Sequence, residues 1–266
     1  MTFSALRICV ALGVVGFAAT AAATTNFAYP SKDAMIFATS SNVDTGNSSG
    51  KGPGMFAGAD GSSNKKRSLV RFDLSAIPTT AIVDTVTLNL IVGQIAGSGG
   101  GGGGGGGCGG GCTDPSRNFR IYTITTAWNE GPSGTPTSPT IGGTGQGWTT
   151  GTGDTSWTYT NYNGSLWTNG GGDYSTPEVV ANTFGPTFTV GMTCSFVGDL
   201  TPMVDVNPDF VDDVQGWVTN PSTNQGWLIK SDLETSPTSF LGFWTKDGAA
   251  ANMNNGLRPE LVVVWH

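Results

Sequence analysis

The chemistry open to this chain is set first by a residue it almost lacks. Its one histidine, His266, is the last residue, so Ser-His-Asp and Cys-His nucleophilic catalysis have no base to draw on. Carboxylates are plentiful, since Glu130, Glu178, Glu234 and Glu260 stand among fifteen aspartates. Glycoside hydrolysis needs two of them at a set separation across a sugar, and abundance on an acidic chain does not supply that. Glu130 lies in Trp128-Asn129-Glu130-Gly131, the setting of a turn carboxylate satisfied by backbone amides rather than of a catalytic acid. The expectation is a chain that is not an enzyme.

Metal chemistry is open on different terms. Zinc wants several Cys or His ligands, and the chain has four cysteines, Cys9, Cys108, Cys112 and Cys194. Calcium needs only clustered oxygens. Asp205, Asp209, Asp212 and Asp213 form the densest acidic group, and Asn42, Asp44 and Asn47 a second candidate loop; neither matches an EF-hand spacing. The expectation is no cofactor unless it is calcium. Cys108 and Cys112 sit in Cys-Gly-Gly-Gly-Cys, close enough for a small disulfide ring, with free thiols or a link to Cys194 as the alternatives.

Ligand binding has a clearer signature. Residues 147–174 hold Trp148, Trp157, Tyr159, Tyr162, Trp167 and Tyr174 among Gly, Thr and Asn. Flat rings beside amides and hydroxyls are what a sugar-stacking surface requires. The competing reading is that the segment folds back over a sheet face and its rings fill a small core of their own.

The elements that must position these groups read as strands. Val86, Leu88, Leu90 and Val92 alternate with Thr87 and Asn89, the period of a half-buried strand. Similar patterns occupy residues 33–39, 68–74, 118–124, 226–231, 239–246 and 258–265. In 187–197 the pattern puts Phe188, Val190, Met192, Cys194 and Phe196 inward. One helix is expected over 208–219, with Phe210, Val211, Val214, Trp217 and Val218 on one face and Asn207 as N-cap before Pro208. Lys65-Lys66-Arg67 leads into a strand and reads as a solvated turn or edge guard. The fold class is therefore all-β, an antiparallel sandwich with one short helix and long Gly-rich loops.

Residues 1–23 have the plan of a secretory signal peptide: Arg7, an apolar run of about a dozen residues, then Ala21-Ala22-Ala23. That run is short of the roughly 20 residues that span a bilayer. Residues 24–266 then form one domain, with a Gly-rich loop over 97–112 and an aromatic excursion over 141–185. Without residues 1–23 eleven cations face nineteen acids, a formal charge of −8. Such a chain is a poor partner for nucleic acid or anionic lipid.

Several stretches together resemble a known family. Ser68-Leu69-Val70-Arg71-Phe72-Asp73-Leu74-Ser75-Ala76-Ile77-Pro78, then 83–90, Trp128-Asn129-Glu130-Gly131, Val214-Gln215-Gly216-Trp217-Val218, Gly226-Trp227-Leu228-Ile229-Lys230-Ser231 and Leu257-Arg258-Pro259-Glu260-Leu261 are similar to the DNRLRE-type domain, which is grouped with carbohydrate-binding module family 96. The resemblance spans about residues 33–265. It implies a jelly-roll-like sandwich of exported bacterial proteins, with alginate-type polysaccharide binding in some members. The leading expectation is a secreted, extracellular, non-catalytic binding module for polysaccharide. A structural matrix or cell-surface assembly protein is the second reading, and a His-independent polysaccharide lyase or hydrolase the third.

Overall fold

The computed structural model describes residues 22–96, 116–136, 141, 145–184, 189–201 and 204–266. The Gly-rich loop with Cys108 and Cys112 lies outside the described residues, as do residues 1–21.

The chain folds as the antiparallel sandwich its alternation implies. One layer runs β1 (Thr24–Ala28), β15 (Glu260–Trp265), β6 (Val83–Ile95) and β12 (Thr193–Asp199). The other runs β11 (Val180–Phe184), β7 (Arg117–Thr123), β13 (Trp227–Ser231), β5 (Lys65–Phe72), β2 (Pro30–Ala38), β3 (Asp44–Ser49) and β8 (Trp148–Thr149). β4 (Gly54–Ala59) and β14 (Leu241–Trp244) carry the hydrogen bonding between layers: β14 pairs with β6 and β4, and β4 pairs with β5.

Period two decides what lies between the layers. Val86, Leu88, Leu90 and Val92 of β6 are fully buried, and Cys194, Phe196, Leu261, Val263, Val70, Phe72, Phe119, Ile121, Trp227 and Ile229 meet them in one core. Each such aliphatic or aromatic contributes about 1.5–3 kcal/mol relative to exposure. The helix α1 (Pro208–Thr219) adds Phe210, Val211, Val214, Trp217 and Val218 to this core, and the rings of Phe210 and Trp217 lie 4.8 and 4.7 Å from that of Trp227.

Four local expectations are corrected. Asn207 adopts a left-handed φ of 48° and makes no side-chain cap; its Nδ2 instead donates to Val197 O at 2.7 Å. The strand expected over 187–197 begins at Thr193, because Thr189 and Met192 close a turn through Gly191, whose φ is 92°. Val190 and Met192 are therefore exposed rather than inward, while residues 187 and 188 lie outside the described residues. Lys65, Lys66 and Arg67 are buried in β5, which is flanked by β2, β4 and β13. Burial is tolerated because each finds an acceptor: Asn42 for Lys65, Asp60 for Lys66 and Glu234 for Arg67. Finally, a second helix, α2 (Lys246–Ala251), follows β14, with Gly248 N donating to Thr245 Oγ1 as its cap.

Candidate ligand-binding site

The aromatic excursion crosses the outer face of the second layer. β2, β5, β13 and β7 present Ala34, Ile36, Ala38, Leu69, Leu228 and Tyr122 there, and Trp157 and Trp167 pack on them with Ile124 and Trp128. Polar anchors fix the path of the excursion. Asp44 of β3 accepts from Ser156 Oγ at 2.7 Å and Thr158 N at 2.9 Å. Asp173 accepts from Thr168 N, Asn169 N and Thr126 Oγ1 at 2.8–3.0 Å. Burial works against the Asp173 charge, but these donors more than offset it and hold the carboxyl below its usual range.

Where the excursion meets β5 a cleft of about 500 Å³ opens, lined by Asn42, Arg67, Trp157, Asn169, Gly170, Gly172, Tyr174 and Thr176. Arg67 is its floor. The guanidinium meets Glu234 with Nε–Oε1 at 2.8 Å and Nη2–Oε2 at 2.9 Å, and Nη1 donates to Gly171 O at 2.8 Å. It also lies 4.5 Å from the Trp157 ring centroid and 5.9 Å from that of Tyr174. Burial opposes this charge, yet Glu234 raises the guanidinium pKa above its ordinary value. Gly171 must be glycine: its φ is 93°, and a Cβ would stand 2.5 Å from Arg67 Nη1 and 2.7 Å from Trp157 Cζ2. Amide, hydroxyl and aromatic groups thus surround a floor whose positive charge is already matched.

The six rings singled out by sequence are not one platform. Trp157 and Tyr174 line the cleft, and Tyr174 packs 4.8 Å from Tyr122. Trp167 is buried beneath them, its indole N–H on Ser156 O at 2.9 Å. Trp148 is half-buried in β8, and Tyr159 and Tyr162 form an edge-to-face pair at 5.1 Å around the hairpin β9 (Tyr159–Asn161) and β10 (Ser165–Leu166). Sequence reasoning missed Arg67 and Glu234, which are 167 residues apart. The one available signal was an arginine directly ahead of the strand pattern Ser68-Leu69-Val70.

The calcium candidates are dispersed or engaged elsewhere. Asp205, Asp209 and Asp212 are exposed, while Asp213 accepts from Thr123 Oγ1 at 2.6 Å and Trp227 Nε1 at 2.7 Å. Burial pushes the Asp213 carboxyl up. Asn42 accepts from Lys65, and Asn47 Nδ2 donates to Gln146 O at 2.9 Å, so that loop holds its own neighbours. Among the described residues one other acidic group is gathered: oxygens of Asp33, Glu130 and Asp247 lie within 4.8 Å of one another. Glu130 accepts one backbone amide there, from Asp33 N at 2.9 Å, together with the Lys51 and Lys246 ammoniums. The one amide comes from a strand 97 residues away rather than from the turn that carries Glu130, and the two lysines were not foreseen.

No family model matches the chain, and no curated protein matches its sequence. Fold and cleft define the class of protein, an all-β sandwich with a shallow aromatic-walled recess on one face.

Proposed function

We propose that this chain is an exported, non-catalytic binding module for polysaccharide, and that the Arg67–Trp157–Tyr174 cleft is its binding site. The observation that carries the reading is the half-buried Tyr174 ring beside Asn42, Asn169 and Thr176 in one recess backed by Trp157, since sugar C–H faces pack on rings while hydroxyls seek amides. The resemblance to carbohydrate-binding module family 96 and the leader-like residues 1–23 point the same way. Because Glu234 takes up the Arg67 charge, a neutral glycan suits the cleft better than a uronate polymer.

Affinity electrophoresis against a polysaccharide panel, with and without calcium, tests this. Retardation by at least one glycan is expected, and Tyr174→Ala should weaken it about 3- to 10-fold, the worth of one stacking ring. Absence of retardation by any glycan removes the proposal.

A second reading, assembly with copies of itself or another surface protein, is favoured by a different observation. Phe27, Val197 and Val206 are 56%, 42% and 44% exposed on the outer side of the first layer, with Leu200, Val190 and Met192 nearby on the β12 edge. Sedimentation showing self-association that Val197→Lys abolishes would favour it.

A further inference from the structure

Asp33 of β2 is a carboxylate where the chain has little reason to put one. It is 1% exposed and followed directly by the buried run Ala34–Ala38. Its Oδ2 accepts the backbone N–H of Lys246 at 2.8 Å, while its Oδ1 has no hydrogen-bond partner among the described residues. An unpaired buried carboxylate oxygen is costly, and burial pushes the group up to about 7.

The neighbouring amine is Lys246, the first residue of α2. Its Nζ bonds Glu130 Oε1 and lies 2.6 Å from Asp247 Oδ2. Glu130 Oε1 is also the atom that accepts the Asp33 N–H at 2.9 Å, so a single oxygen touches both the amine and the residue bearing the orphan carboxyl. Lys51 Nζ holds the other oxygen, Oε2, at 2.7 Å and keeps Glu130 in place. A divalent cation is a poor occupant, because Lys246 and Lys51 already bind the carboxylates it would need.

We propose that Lys246 and Asp33 become joined by an amide bond, formed by the chain itself with Glu130 carrying the proton. Glu130 takes a proton from the Lys246 ammonium, and the freed amine attacks Asp33 Cγ. The Lys246 backbone N–H at Oδ2 sits where negative charge gathers in the tetrahedral intermediate. The Nζ–Cγ bond forms and the Cγ–Oδ1 bond breaks. Oδ1, the oxygen without a partner, leaves as water with two protons that came from the ammonium, one of them relayed through Glu130. An ammonium and a carboxylate become an amide and water, with no oxidant, cofactor or co-reactant. Condensation that is unfavourable between free groups in water is favoured here because the Lys246 backbone is fixed on Asp33 Oδ2 and its amine on Glu130, which leaves only a short approach of Nζ to Cγ, and such intramolecular steps reach effective molarities of about 10⁵–10⁸ M in well-oriented cases. The bond ties β2 to α2 across 213 residues, a bolt suited to a protein outside the cell.

Intact-mass spectrometry of the full chain, denatured and reduced after incubation at neutral pH, reads the bond directly. The expected mass is about 18 Da below that of the polypeptide sequence, the loss of one water, and a tryptic digest should contain a branched peptide carrying Asp33 and Lys246. Lys246→Arg and Glu130→Gln should restore the full mass. Asp33→Asn should still cross-link, losing ammonia, about 17 Da, in place of water. A wild-type chain at its full sequence mass overturns the proposal, and so does an unchanged deficit in Lys246→Arg. The wild-type measurement decides even where a variant fails to fold.

Discussion

Replacing Glu234 with Gln is the sharpest perturbation of the cleft that Arg67 lines. Both partners of the Arg67–Glu234 pair are 9% exposed in their side chains, so the carboxylate neutralises a charge that water barely reaches. With Gln at this position one side-chain oxygen can still accept from the guanidinium, but an amide N–H₂ then faces a guanidinium N–H and the positive charge has no counterion. Breaking one partner of a buried pair costs about 3–5 kcal/mol, and the surviving contacts to Gly171 O and the Trp157 ring place the cost near the lower end, about 3 kcal/mol. At a urea m-value of about 3 kcal/mol/M this moves the unfolding midpoint by about 1 M, read by tryptophan fluorescence and far-UV circular dichroism together. The double variant Arg67→Met, Glu234→Leu should recover most of the loss, because an apolar replacement leaves no stranded charge. A loss below about 1 kcal/mol in Glu234→Gln, the scale of a solvent-exposed pair, would refute the reasoning, and so would a double variant no more stable than the single one.

Phe210→Ala, which empties a fully buried site of α1 against Trp227, should cost about 3–5 kcal/mol in the same urea assay. Asp173 gives a pH dependence of definite sign. Its folded-state pKa lies below the unfolded value of 3.8, so its contribution is present above that value and is lost as pH falls through the folded one; thermal stability should fall over that acid range in the wild type, and Asp173→Asn should already be less stable at pH 7. Asp213 has the opposite sign. Its pKa is raised, so its contribution is fully present below 3.8 and declines as pH rises through the folded value, and Asp213→Asn should flatten that part of a thermal stability profile against pH.

Which parts of this molecule were legible in the chain follows from how local each cause is. The alternation in β6 and the 3.6-residue spacing of α1 are short-range patterns, and both elements stand where those patterns put them, α1 over Pro208–Thr219. The turn that exposes Val190 and Met192 was invisible because both continue the alternation of β12, and only the backbone reversal at Gly191 takes them out of the strand. α2 is six residues of mixed type ending in three alanines, too short for a period to register. The burial of Lys66 and Arg67 depends on acceptors elsewhere in the chain, and a charge run carries no mark of them. The same holds for Asp33, Glu130 and Lys246, separated by 97 and 116 residues; a lone Asp ahead of Ala-Met-Ile-Phe-Ala was their single trace.

The two clusters that escaped sequence reasoning share one physical origin. Each buries a carboxylate and joins distant parts of the chain: β5 to the segment after β13 through the Arg67–Glu234 ion pair, and β2 to α2 through Asp33 and the backbone N–H of Lys246. Where a charged pair is only a pair, hydrophobic residues of similar volume would stabilise the fold as well or better. Arg67 is therefore best explained by what it supports, since its fork holds Gly171 O and backs the Trp157 ring at the cleft, a positioning task no aliphatic side chain performs. Asp33 has no such surface to support. It is buried, half unsatisfied and next to an amine, and a covalent end state removes the cost that a permanent ion pair would leave standing.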